Sequence, residues 1–145
     1  YHAYEALSMD MREALRDLRA LHSGMITYTR SLEHNDARII DPGEVGSPCA
    51  HPVVRTHPVT GRPALYVNPH FTTSLVDMTE DESRPLLNTL YDVAVKPENI
   101  YRHRWRAGDV VMWDNRCTMH YAVMDYTEDM ERLMHRTTAG GDVPR

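Results

Sequence analysis

The stretch Trp113-Asp114-Asn115-Arg116-Cys117-Thr118-Met119-His120-Tyr121-Ala122 decides how this chain is read. Asp114-Asn115-Arg116 has the short polar side chains of a tight turn. Residues 118–123 after it have strand character, and there Thr118, His120 and Ala122 share one face, because side chains alternate along extended backbone. A histidine between such small neighbours is either a core residue or a ligand. The chain has nine histidines, and His2, His22, His34, His57 and His70 fall in or near loops and helix ends, where exposure or hydrogen bonding is the ordinary role.

Toward the C-terminus, residues 132–139 read as a further strand on which Arg132, Met134 and Arg136 project to one side. Two guanidiniums on one face of a strand that also carries Leu133 and Ala139 are costly unless an anion meets them. They either hold such an anion or face solvent, paired with Glu128, Asp129 or Glu131. A planar donor fork suits two-point contact with a carboxylate.

Toward the N-terminus, residues 100–106 and 109–113 alternate as strands around the turn Ala107-Gly108-Asp109. Thr79 and Glu82 have the spacing of a capping box for a helix over 79–95, with Leu86, Leu87, Leu90, Tyr91 and Ala94 on its buried face and Pro97 ending it. Residues 52–56 and 64–68 flank the turn-rich Pro58-Val59-Thr60-Gly61 and predict a hairpin. Residues 22–50 hold Gly24, Pro42, Gly43, Gly46 and Pro48 and read as an irregular connection. Residues 1–21 carry Tyr4, Leu7, Met11, Leu15, Leu18 and Leu21 at helical spacing, with room for a capped break near Ser8. Tyr1 opens inside that pattern, as a fragment of a longer chain would.

Composition sets bounds on this reading. With 145 residues, 41% hydrophobic and 26% charged, the chain suits one globular unit rather than a disordered one. A net charge of −5 gives no electrostatic case for nucleic acid or an acidic membrane, and no apolar run would span a bilayer. Two cysteines, Cys49 and Cys117, make no disulfide framework, so a cytoplasmic location is expected.

The segment around His120, followed by Arg132-Leu133-Met134-His135-Arg136-Thr137, resembles the distal-histidine and co-substrate strands of the taurine/TfdA-like iron(II)/2-oxoglutarate-dependent dioxygenases. The likeness extends to residues 104–109, to Leu65-Tyr66-Val67-Asn68 with Phe71-Thr72-Thr73, to residues 51–58, and to Tyr4-Glu5-Ala6-Leu7-Ser8. It implies a mainly β fold with flanking helices, the C-terminal portion of a double-stranded β-helix (jelly roll), in a single partial domain over 1–145.

The resemblance implies His120 as one ligand of iron(II), held in the family by two histidines and a carboxylate. It implies Arg132 and Arg136 as 2-oxoglutarate-binding residues, and Phe71, Asn68 and Arg136 as substrate-binding ones. Trp113 and Asn115 are expected to hold the turn and core. The reaction implied is hydroxylation of a small anionic molecule (sulfonate, sulfate ester or carboxylate) by O2, with release of succinate and CO2. A homo-oligomer is compatible with it.

The first histidine and carboxylate belong, in that family, to a His-X-Asp motif before the helix at 1–21, and none precedes Tyr1. His34-Asn35-Asp36 has the letters but lies in the irregular connection, without the support that ligands need. The chain alone is therefore expected to be inactive. The competing expectation is a non-catalytic, truncated or remnant domain that at most binds a small carboxylate.

Overall fold

The computed structural model describes residues 1–26, 28–29, 45–127 and 129–145. Helices α1 (His2–Glu5) and α2 (Met9–Leu15) come first, and then strand β1 (Arg19–His22). Strands β2 (Cys49–Pro52), β3 (Val54–Thr56), β4 (Pro63–Leu65) and β5 (Thr72–Leu75) follow, then helix α3 (Glu80–Ala94) and a 3-10 turn at Pro97–Asn99.

The expected single helix over 1–21 is divided. Ser8 is extended and its hydroxyl accepts from Met11 N–H at 3.2 Å, so the capped break is present. The helical run stops at Leu15, and residues 19–22 form a strand. Its spacing of apolar residues suits a helix, but β1 lies between two antiparallel partners, with Ala20 opposite His51 of β2 and Leu75 of β5. Ladder hydrogen bonds on both edges outweigh a weak local preference.

β3 and β4 form the expected hairpin, pairing Val54 with Leu65 and Thr56 with Pro63. Gly61 closes it at φ +68, which a residue without Cβ adopts freely. Val53 joins the two sheets: its N–H donates to Leu18 O at 2.9 Å and its carbonyl accepts from Tyr66 N–H at 2.8 Å.

Helix α3 begins where its capping box placed it. Thr79 Oγ1 accepts from Glu82 N–H, and Glu82 Oε2 accepts from Thr79 N–H. Its apolar side, with Leu87 and Leu90, meets Leu15, Ala20, Val53, Val67 and Leu75 in the core. Ser83, fully buried, donates to Thr79 O at 2.7 Å and accepts from Leu75 N–H at 2.8 Å, tying the first turn of α3 to β5. Ser83→Ala leaves the Leu75 N–H unpaired away from water, so it should lower stability by about 1–3 kcal/mol. Urea unfolding measures this, and a loss below about 0.5 kcal/mol, that of an ordinary surface change, would contradict it.

The strands expected in residues 100–139 are not formed: none of the described residues from 100 onward belongs to a helix or strand. Val110, Met112 and Leu133 are 90%, 92% and 74% exposed, so no face of these segments is buried. Extended chain becomes a strand only beside a neighbour that takes its N–H and C=O groups. The two turns are where they were expected, with Gly108 at φ +88 between Arg106 and Asp109, and residues 115–117 after Asp114. The end of the chain returns to the hairpin, where Thr56 N–H donates to Arg145 O at 2.8 Å. Among the described residues no helix is long and apolar enough to cross a membrane.

Candidate functional site

His120 lies in extended, exposed chain, with its ring against Trp113 at a centroid separation of 4.7 Å. Trp113 is itself held by its indole N–H, which donates to Asn115 Oδ1 at 2.9 Å, the turn-holding role expected of both. The partial burial of the ring, then the charge of Arg136, then His70, hold His120 below the ordinary histidine range. These causes favour the neutral ring, the form with a nitrogen lone pair to offer.

His70 also approaches Tyr121, with centroids 6.3 Å apart. The turn that carries His70 and Phe71 thus lies beside the chain at Tyr121, and Arg136 is near enough for its charge to act on His120. Asn68 builds that turn: its Oδ1 accepts from His70 N–H at 3.0 Å and Phe71 N–H at 2.9 Å. Phe71 is 46% exposed, and its carbonyl accepts from Ser23 N–H at the end of β1. Arg132 is not brought to His120 by any contact described; its guanidinium lies 5.2 Å from the centroid of the Tyr126 ring. His34 and Asp36 lie outside the described residues.

Two features escaped the sequence reading. His57 is 4% exposed, and its Nε2 meets Asp114 Oδ2 at 3.1 Å, within a group of His57, Asp114 and Cys117 whose ligand atoms all lie within 4.8 Å of one another. Asp114 is held well below the usual carboxylate range, first by the Arg116 side chain, which meets it at 2.7–3.1 Å, and then by the Arg116 N–H. The signal was only the polar run in the turn, because the partner is 57 residues away.

The second feature is a ring cluster of His22, His51 and Tyr66, with centroids 5.1–5.9 Å apart. Arg55 stands over Tyr66 at 5.0 Å. His22 Nε2 and Arg55 Nε are buried without a hydrogen-bond partner. Burial, with His51 adding to it, pushes His22 down to about 4. A histidine whose folded value is lowered stabilises the fold fully above the unfolded value near 6.5, and that contribution fades as pH falls toward 4. Stability should drop by about 1 kcal/mol between pH 7 and 5 on this account, after allowance for the ring's partial exposure. His22→Gln should flatten the slope in urea titrations, and an unchanged slope would contradict the assignment.

Residues 1–138 match the family described as "Taurine catabolism dioxygenase TauD, TfdA family". The chain belongs to this family. Among curated relatives, an alkylsulfatase of Acinetobacter baylyi is 37% identical over 97% of this chain and 45% of its own length. An alpha-ketoglutarate-dependent sulfate ester dioxygenase of Pseudomonas putida is 37% identical over 98% of this chain and 48% of its own. The chain thus spans about half the length of these curated relatives.

Solved TauD/TfdA structures resemble it as well. A taurine dioxygenase from Burkholderia xenovorans has a TM-score of 0.62 at 37% identity, covering 79% of this chain and 35% of that one. The structure of AAD-2 in complex with Mn(II) and N-oxalylglycine has a TM-score of 0.64 at 36% identity, covering 79% of this chain and 44% of that one.

Proposed function

We propose that the chain forms the C-terminal part of an iron(II)/2-oxoglutarate-dependent dioxygenase of jelly-roll architecture, acting on a small anionic substrate such as a sulfate ester, sulfonate or carboxylate. The observation that carries this reading is the match of residues 1–138 to the TauD/TfdA family; the approach of His70 to Tyr121, next to His120, and the charge of Arg136 felt at His120 support it. The names of relatives that act on sulfate esters and phenoxypropionate support the substrate class.

The residues fit the metal in part. His120 offers a neutral imidazole, the donor that suits iron(II) in a two-histidine, one-carboxylate set. Among the described residues no other histidine and carboxylate join it to complete such a set. The expectation for the 145 residues by themselves is no turnover, and succinate formation by that chain would overturn it. Iron(II), when bound, supplies the redox chemistry that couples O2 and 2-oxoglutarate to hydroxylation.

The chain's own part is binding and orientation. Arg132 offers a planar fork to the distal carboxylate of 2-oxoglutarate. Arg136, beside His120, meets the anionic group of the substrate or the near end of the co-substrate. Phe71 presents an apolar ring to the substrate, and Asn68 serves it by fixing the turn on which Phe71 stands.

The test is succinate formation by the native protein that contains these residues, supplied with iron(II), 2-oxoglutarate and matched alkyl sulfates, alkanesulfonates, phenoxy acids and neutral alcohols. Succinate should accumulate with one of the anionic classes and not with the alcohols. Equal turnover of the uncharged set would refute the substrate assignment.

A further inference from the structure

We propose that His57 is a positioning residue for the segment carrying His120: through Asp114 it ties the turn at 114–118 to the β3–β4 hairpin. The inference rests on the reading of His120 as a ligand. Nδ1 of His57 accepts from Val59 N–H at 3.3 Å and Thr60 N–H at 3.1 Å, so in the neutral ring the proton sits on Nε2. That N–H donates to Asp114 Oδ2 at 3.1 Å, between residues 57 apart in sequence.

Asp114 passes the restraint onward. Its Oδ1 accepts from Arg116 N–H at 2.8 Å, and its main-chain carbonyl accepts from Cys117 N–H at 3.2 Å and Thr118 N–H at 3.0 Å. The Thr118 hydroxyl donates to the same carbonyl at 2.6 Å. His120 lies two residues beyond Thr118, in chain with no ladder hydrogen bonds to hold it. On its other side His57 is set in the hairpin, with its own N–H donating to Arg62 O at 2.9 Å and its ring edge-on to Tyr1 at 6.0 Å.

The same geometry argues against a metal held by His57, Asp114 and Cys117. A metal on Nε2 would require the proton to move to Nδ1, where two backbone N–H groups already point. The Arg116 fork also occupies the Asp114 carboxylate.

Two substitutions separate the halves of the His57 contact. Glutamine places an amide N–H where Nε2–H stands and keeps the bond to Asp114. Asparagine places its oxygen where Nδ1 stands, keeps the local turn, and falls short of Asp114. The readouts, on labelled native protein, are amide exchange at Cys117 and Thr118 and the His120 ring resonances, which the nearby Trp113 ring shifts.

His57→Asn should speed exchange at both amides by about tenfold or more, which corresponds to about 1.4 kcal/mol of lost protection, and move the His120 resonances. His57→Gln should restore both toward wild type. If asparagine restores and glutamine does not, His57 only closes its own turn and the proposal is overturned. Should the asparagine variant fail to fold, Asp114→Ala cuts the tie from the partly exposed side, and unmoved His120 resonances there overturn it too. Iron(II) titration of the wild type is read separately. No binding there counts against the ligand reading of His120, whereas normal binding with unchanged exchange and resonances in His57→Asn counts against the tie.

Discussion

Replacing His120 with alanine in the native protein is expected to abolish iron-dependent turnover and to weaken iron(II) binding by more than about a hundredfold. Loss of a residue that merely orients a metal ligand costs about 10–100-fold in affinity, and loss of a ligand itself should exceed that. The ring is prepared for the role, since its partial burial and then the charge of Arg136 favour its neutral form. Arg136→Ala should therefore raise the proton affinity of His120, though only in part, because burial is the larger cause. A His120→Ala enzyme that keeps most of its rate at limiting iron would remove His120 from the site.

The second large effect is expected at Arg132. With co-substrate bound in the native protein, Arg132 and the carboxylate would form a shielded, charge-assisted pair, and truncating one partner of such a pair costs about 2–5 kcal/mol. Arg132→Ala should raise the apparent KM for 2-oxoglutarate by about tenfold to several thousandfold, at about 1.4 kcal/mol per decade. Lysine should rescue it only partly, because a point charge cannot reproduce the planar fork. Arg136→Ala should mainly weaken the anionic primary substrate. Paired KM titrations on both variants check this, and reversed profiles would exchange the two roles. Arg132 rests on Tyr126 in the chain alone, so its assigned role requires it to leave that ring for the co-substrate.

Local chemistry was legible where it acts over a few residues. The Thr79–Glu82 box and the turn at 114–116 are set by side chains next to the backbone they shape, and Gly61 and Gly108 by the freedom of a residue without Cβ. What escaped the sequence depends on distant neighbours. Leu18 and Leu21 have helical spacing, yet β1 is a strand because β2 and β5 flank it. The His57–Asp114 bond leaves no periodic trace.

Residues 100–139 show the converse. Their alternation at Val110, Met112 and Leu133 suits strands, but alternation needs a partner edge. Of the candidate site, the resemblance already pointed to His120 with Arg136 near it. The approach of His70 to Tyr121 was not legible, because a turn and a tertiary contact set it.

The most direct test of the central claim is release of labelled CO2 from carboxyl-labelled 2-oxoglutarate by the native protein. It should be run with iron(II), with a chelator, and with His120→Ala, beside the 145-residue chain alone. The account predicts release that needs both iron and His120, and none from the 145 residues by themselves. Release that persists in His120→Ala, or none from the native protein with iron(II) and every anionic substrate class, would contradict it.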